Sequence, residues 1–325
     1  MTVNILCGDS LEVLKTLPER SIQACITSPP YFGLRSYLPD GHADKAKEIG
    51  LETAVEDYVT KLVEVFREVR RVLKDDGVIF VNLGDSYASS GSVSQPHRDS
   101  SGGIGKKTTR GAQGYSAAGG GFRRASTAVN GIQPKDLIGI PWRVAFALQA
   151  DGWTLRQDLI WHKPNAMPES VKDRCTKAHE YIFLLSKRAK YYFNGEAIKE
   201  PAAAPPKPCG RKNDASRNDG DRTGIVRGNG ETRNRRSVWT VATVAYTGSH
   251  FATFPPKLIE PCILAGSRPG DVVLDPFFGA GTVGLVAHAA GRRCLGIELN
   301  SDYIKMAERR LGLPESAAPM EGANP

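Results

Sequence analysis

Long apolar runs, paired cysteines and a leader-like beginning are what this sequence does not have. No stretch approaches the roughly 18 consecutive apolar residues of a membrane-spanning helix. Met1-Thr2-Val3-Asn4 is not followed by the basic and then apolar pattern of an export signal, so a cytoplasmic protein without membrane association is expected. The six cysteines (7, 25, 175, 209, 262 and 294) show no Cys-x-x-Cys spacing. Its absence argues against a zinc framework or a disulfide scaffold, and no metal is expected.

Negative charge is short as well, and the imbalance is local. The formal net charge is +8, from 43 Lys and Arg against 35 Asp and Glu. Residues 88–133 hold six cations, among them Lys106, Lys107, Arg123 and Arg124, against Asp99. Residues 205–236 hold nine, including Arg211, Lys212, Arg233, Arg235 and Arg236, against four acids. Each segment has a surplus of five, and the rest of the chain sums to −2. Gly/Arg-rich segments with few apolar residues build no core; they read as solvated linkers or as arms that order on a polyanion.

The remainder alternates strand and helix signals. Val3-Asn4-Ile5-Leu6-Cys7 reads as a strand ending at Gly8-Asp9-Ser10, a helix follows over about 11–17, and residues 21–27 form a second strand. Apolar residues at 55, 58, 62, 65, 66, 69, 72 and 73 share one helical face. Lys74-Asp75-Asp76-Gly77 is expected to stop that helix before a strand over 78–83 apolar enough to be central. Pro141 suits the first turn of a helix reaching about Ala150. Trp153–Trp161 and Tyr181–Ser186 read as paired strands at an antiparallel edge, and Pro255-Pro256-Lys257 opens a short helix. This is the grammar of an open α/β sheet, and 325 residues with 40% hydrophobic content suffice for one large or two small domains.

Two stretches carry chemistry. The strand over 21–27 runs into Ser28-Pro29-Pro30-Tyr31, where the prolines fix their own φ and hold the preceding residues extended. The Ser28 oxygen and the Pro29 carbonyl are thus aimed acceptors beside an aromatic face. Such a pair suits an exocyclic amino group of a nucleobase, whose lone pair is delocalised into the ring until acceptors on its N–H bonds draw it out. Pro-Pro-Tyr is also an ordinary loop or polyproline sequence.

The second stretch, Val272-Val273-Leu274-Asp275-Pro276-Phe277-Phe278-Gly279-Ala280-Gly281-Thr282, reads as a buried strand, a glycine-bearing turn and a helix start. Cys294-Leu295-Gly296-Ile297 then ends in Glu298. Glycines let a ligand approach backbone N–H groups, and an acid closing the next strand suits the hydroxyls of a ribose, so a nucleoside cofactor is expected. A nicotinamide-binding fold or a plain tight turn would share the pattern.

The two motifs in this order resemble the S-adenosylmethionine-dependent DNA amino-methyltransferases of the permuted β class, in which the catalytic motif precedes the cofactor motif. The likeness runs from about Val3 to Leu311, apart from the basic insertions. It implies a Rossmann-like methyltransferase fold with a seven-stranded, mostly parallel sheet and a circularly permuted motif order. The domain layout expected is 1–204 for the catalytic half, with its insertion at 88–133, then 205–236 for target recognition. Residues 237–312 form the cofactor half and 313–325 a tail.

By the same resemblance, Ser28, Pro29, Pro30 and Tyr31 are the catalytic group, with Tyr31 stacking on a base taken out of duplex DNA. Asp275, Phe277, Gly279, Gly281 and Thr282 line the methionine and ribose region of S-adenosylmethionine, and Glu298 takes the ribose. Asp9 matches an acid near the adenine amino group, with a helix cap as its plain alternative. Phe251 and Thr253 match a segment closing over the methionine end, with a core aromatic and a cap for the Pro255 helix as their plain alternatives. The basic residues named above, with Arg174, are the DNA-binding candidates, and Arg174 and His179 face either the target base or the solvent. The resemblance leaves open a homodimer, and whether a cognate restriction endonuclease exists or the enzyme is an orphan. Adenine N6 and cytosine N4 both remain as targets: serine at the head of the motif accompanies cytosine N4 more often, yet a neutral acceptor serves either amine.

Three rivals fit less of the sequence. A C5-cytosine enzyme needs a cysteine after proline, and Pro208-Cys209 and Pro261-Cys262 offer one, but neither ends an apolar strand. A nicotinamide oxidoreductase gives Ser28–Tyr31 and the basic segments no task. A DNA-binding protein without activity would show damage in one of the two motifs, and both are intact.

Overall fold

The computed structural model describes residues 3–88, 131–202, 231–243 and 254–314. Phe251, Thr253, Lys106, Lys107, Arg123, Arg124, Arg211 and Lys212 lie outside them. In chain order the elements are β1 (Val3–Cys7), α1 (Ser10–Thr16), β2 (Ile22–Thr27), α2 (Val55–Val72), β3 (Leu73–Leu83), α3 (Ile140–Ala150), β4 (Thr154–His162) and β5 (His179–Ser186). They continue with β6 (Glu200–Pro201), β7 (Thr232–Arg233), β8 (Val238–Thr240), α4 (Pro256–Gly266), β9 (Val272–Asp275), α5 (Thr282–Ala289), β10 (Arg293–Glu298) and α6 (Ser301–Leu311).

Eight strands form one sheet in the order β1-β10-β9-β2-β3-β5-β4-β8, and β6 pairs with β7 alone. All neighbours in the large sheet run parallel except β5, which is antiparallel to both β3 and β4. The sheet therefore has one strand more than the seven expected, and its antiparallel member is not at the edge. β5 is buried along most of its length, whereas the first half of β4 is exposed, so the more apolar strand takes the inner place. The extra strand, β8, is three residues long with only Trp239 buried, too short an alternation to read from sequence.

Alternation along the strands divides the core. Cys25, Ile79, Val81, Phe183 and Leu185 face one side with the buried residues of α1, α2 and α3. Ala24, Ile26, Val78, Phe80, Ile182 and Leu184 face the other with those of α4 and α5 and with Ala307 of α6. That period of two is the pleat, and with helices on both faces the strands have little polar surface to spare. The helical face read from α2 is the one buried, including Tyr58, Leu62, Phe66 and Val69. The stop expected at Lys74–Gly77 comes earlier: α2 ends at Val72, and Leu73 already begins β3.

α6 has no counterpart in the sequence reading, because its buried stripe is only Ile304, Ala307 and Glu308. Its ends carry the signal instead. Asn300 caps the start by accepting from the Asp302 amide at 2.8 Å, and Gly312 closes it at φ 62°.

Phe66 is fully buried in the α2 face. Phe66→Ala should lower the unfolding free energy by about 3–5 kcal/mol, measured by urea denaturation, through lost transfer energy and the cavity left behind.

Candidate active site

The strand order reverses between β9 and β2. From β2 the chain crosses through α2 to β3 on one side; from β9 it crosses through α5 to β10 on the other. Loops leaving the carboxyl ends of two such strands diverge and open a crevice, the usual ligand position in an open α/β sheet. β2 and β9 are paired in parallel at Ala24 with Val273 and Cys25 with Leu274, so Thr27-Ser28 and Asp275-Pro276 emerge at the same edge. The two motifs, some 250 residues apart in sequence, are joined there by a 2.6 Å hydrogen bond from the Thr27 hydroxyl to Asp275 Oδ1. The Ser10 hydroxyl donates to the Pro276 carbonyl at 2.5 Å and fastens the β9 end to α1.

Two cavities open at this rim, of about 120 and 110 Å3. Ser28, Tyr37, Phe277 and Tyr303 line both, so they are compartments of one cleft. The first also holds Pro29, Tyr31, Arg35, Asp275 and Thr282. The second holds Asp9, Pro30, Glu48 and Glu298.

The stretch from Ser28 to Tyr31 is held on several sides. The buried Tyr58 hydroxyl donates to the Pro30 carbonyl at 2.8 Å, and Gly50 lies so close that a Cβ there would sit 2.9 Å from the Tyr31 carbonyl oxygen. The Tyr31 hydroxyl donates to Glu180 Oε2 at 2.7 Å, with Asn82 Oδ1 3.2 Å away. The Ser28 hydroxyl is within hydrogen-bonding reach of the same phenol. Burial, and then the charge of Glu180, hold the phenol well above its ordinary value, so it stays a donor.

β9 and β10 each end in an acid, Asp275 buried and Glu298 half-buried. Asp275 Oδ1 accepts from Thr27 and, at 3.1 Å, from the Phe277 amide, yet burial still pushes its carboxyl up to about 7. Glu298 accepts from the Gly279 amide at 2.7 Å and the Asn300 amide at 2.9 Å, and burial raises it too. Gly279 and Gly281 take φ values of 51° and 76°, the left-handed region where glycine is at ease. Thr282 lines the first cavity while Arg310 donates to its hydroxyl at 2.9 Å. Asp9 takes its helix-cap reading, with Oδ1 accepting from the Glu12 amide at 3.0 Å, and the residue also lines the second cavity.

Sequence reasoning missed the loop that follows Tyr31. Glu48 is 5% exposed and accepts from the Tyr37 amide at 2.6 Å, from the Leu38 amide and from the Ser36 hydroxyl. Asn300 donates to the Tyr37 carbonyl at 2.7 Å, and Tyr37 meets Tyr303 edge to face, so the loop is drawn across the cleft. Arg35 brings a cation into the first cavity. A lone Glu48 or Arg35 has no periodic or spacing signal to announce it.

Other expected residues sit elsewhere. Arg174 pairs with Glu169 at 2.6 Å and lies 3.9 Å from the Tyr87 ring centre, and His179 packs edge-on against Tyr181. Neither lines the two cavities; their neighbour Glu180 reaches Tyr31 instead. Arg233 and Arg236 both hold Glu200 at 2.8 Å, and Arg235 lies over Trp239. Cys262 is buried within α4, where burial pushes its thiol far up, so it offers no thiolate to the cleft. Cys209 lies outside the described residues.

A parallel sheet with one inserted antiparallel strand, whose reversal point joins a Ser-Pro-Pro-Tyr tip to an acid and glycine turn, defines a methyltransferase of the α/β type. A family model described as DNA methylase, for N6 and N4 methylation, matches residues 22–309. The type II methyltransferase M.SmaI of Serratia marcescens is 46% identical, over 94% of this chain and 90% of its own length. M.Cfr9I of Citrobacter freundii is 45% identical, over 94% and 86%. Among solved structures, the PvuII DNA methyltransferase, cytosine-N4-specific, superposes with a TM-score of 0.61 at 20% identity, covering 98% of this chain and 89% of that one. The chain belongs to the N6/N4 DNA methylase family, whose members transfer methyl from S-adenosylmethionine to amino groups of DNA.

The Asp275 carboxyl has an ordinary value of 3.8 and a folded value of about 7. Between these limits the unfolded chain has released that proton and the folded chain still holds it. Its contribution to stability therefore falls as pH rises from about 4 to 7 and levels off above. Asp275→Asn should remove this part of the pH dependence, read as urea midpoints at pH 5 and pH 8.

Proposed function

We propose that the cleft methylates cytosine N4, at a specific site in duplex DNA, on a base turned out of the helix. The observation that carries this reading is the shared first cavity: Ser28, Pro29 and Tyr31 of one motif and Asp275, Phe277 and Thr282 of the other line the same space. The choice of cytosine over adenine rests on Ser28 at the head of the motif, since by the resemblance serine there accompanies cytosine N4 more often.

The residues present fit the cofactor. Asp275 is a buried carboxylate whose partners are a hydroxyl and an amide, so a cationic ligand beside it would restore its ionised form. Glu298 already accepts two amides and retains lone pairs for ribose hydroxyls. Asp9 and Glu298 in the second cavity would hold the nucleoside end, with Asp275 and Arg35 at the amino-acid end. When bound, S-adenosylmethionine supplies a methyl group on a positively charged sulfur.

Ser28 Oγ and the Pro29 carbonyl accept the two N–H bonds of the amine, drawing its lone pair out of the ring. Tyr31 stacks on the base. As the N–C bond forms, the methyl's bond to sulfur would break with its electron pair left on sulfur, and the proton shed by the amine passes along one of these hydrogen bonds to water. All these groups come from one chain, so the transfer itself requires neither a second copy nor an endonuclease, though the type II relatives suit a restriction–modification role in the cytoplasm.

The segment 205–236 is proposed to read the target and 88–133 to follow the phosphates, with their cations displacing counterions. DNA affinity should therefore fall steeply between 50 and 200 mM salt, by about a thousandfold or more if six phosphates are neutralised. Titration by fluorescence anisotropy would show it, and a flat response would remove these segments from the interface.

Digesting methylated DNA to nucleosides and weighing them should give N4-methyldeoxycytidine. N6-methyldeoxyadenosine would move the target to adenine, and 5-methyldeoxycytidine alone would overturn the mechanism. Ser28→Ala should lower kcat by about a hundredfold, the loss typical of one transition-state hydrogen-bonding partner, and leave cofactor affinity unchanged.

A further inference from the structure

Stacking needs the plane of an aromatic ring; it has no use for a phenol oxygen, and phenylalanine would stack as well. The hydroxyl of Tyr31 therefore has a task the transfer chemistry has not explained. It donates to Glu180 Oε2 at 2.7 Å, next to Asn82 Oδ1 at 3.2 Å. Glu180 is itself fixed. Asn82 Nδ2 donates to the same Oε2 at 3.2 Å and to the Tyr181 carbonyl at 3.0 Å, while Lys163 pairs with the other oxygen, Oε1.

Lys163 in turn lies 4.2 Å from the centre of the Trp161 ring. The Glu180 and Lys163 side chains are 14% and 19% exposed, so the pair is largely screened from solvent and holds its geometry better than a surface bridge. Asn82 comes from β3, Glu180 from β5 and Lys163 from the residue after β4, three neighbouring strands of one sheet. On the other side the ring rests on Gly84, where a Cβ would come within 2.5 Å of Tyr31 Cε2. The ring is thus backed along one edge and tethered at its tip, with the first cavity before it.

We infer that Glu180 is a positioning residue for the methyl transfer: through the Tyr31 hydroxyl it sets the tilt of the ring on which the target base lies, and Lys163 and Asn82 set Glu180. The inference rests on the reading that Tyr31 stacks on an extruded base. Freed of its tether, the ring would still attract a base but would present it over a range of orientations. The loss would therefore fall on kcat rather than on cofactor binding.

The test is a double-mutant cycle on the full chain with Tyr31→Phe and Glu180→Ala, together with Glu180→Gln, which can still accept the hydroxyl. Readouts are kcat, the KM for DNA, the cofactor Kd by calorimetry, and the fluorescence of pyrrolocytosine at the target position, quenched when it stacks. Tyr31→Phe and Glu180→Ala should each lower kcat by about ten- to a hundredfold, the worth of a hydrogen bond to a charged acceptor, with cofactor Kd unchanged. The double variant should fall no further, Glu180→Gln should recover part of the loss, and quenching should weaken in each tether variant. Additive losses, or a loss in Glu180→Ala with Tyr31→Phe fully active, would overturn the tether and give Glu180 a direct contact with the base. Tyr31→Phe removes one oxygen and keeps the question decidable should Glu180→Ala fail to fold. Full activity of Tyr31→Ala would sink the stacking reading itself. An inactive Tyr31→Ala beside fully active Tyr31→Phe and Glu180→Ala would sink only the tether.

Discussion

The parallel pairing of β2 with β9 is the contact on which the site depends. Ala24, Cys25, Val273 and Leu274 are completely buried at that seam, and the hydrogen bond from Thr27 to Asp275 closes it at the rim. Burial of these side chains supplies the driving force, and the pleat then decides which residues stand at the strand ends. A transfer pocket needs two strand ends side by side, not two motifs close in sequence. The order in which the chain visits them is free, so the permuted arrangement carries no penalty at the site.

Around this seam the chain uses carboxylates as brackets. Glu48 gathers the amides and hydroxyl of its loop, Glu298 gathers the turn after β9 and the start of α6, and Asp275 ties the two motifs. Glu48 also has Lys45 beside it, whereas the described donors to Asp275 and Glu298 are neutral, and burial raises the proton affinity of those two against the lowering effect of these hydrogen bonds. That is a cost in stability and an attraction for a positively charged ligand, as expected where function is set against stability.

Much of this could be read from the residues alone. The strands β2, β9 and β10 and the helix α2 announced themselves through apolar runs and period, and the two motifs named the class of chemistry. Position within the sheet was less legible. That β5 lies inside and β4 outside depends on how much of each is apolar relative to its neighbours, a comparison between strands and not a property of either. Glu48, Arg35 and Glu180 were invisible for a different reason: each acts on a residue distant in sequence or on a backbone amide, and no local spacing encodes that. α6 was missed because its apolar stripe is thin, although Asn300 and Gly312 marked its ends.

Charge counting shows the same limit most sharply. The surplus over 205–236 treats nine cations alike, but two of the three at its end, Arg233 and Arg236, are paired with Glu200. There β6 meets β7, and the Ala202 amide donates to the Glu231 carbonyl at 2.9 Å, so the two ends of the intervening segment are fastened together. Closing a loop at its base limits where its residues can reach and reduces the entropy lost when they bind. Arg233 and Arg236 at such a base do structural service. A sequence total measures how much positive charge a segment carries; only the pairing seen in the fold shows that these two cations are spent on holding it.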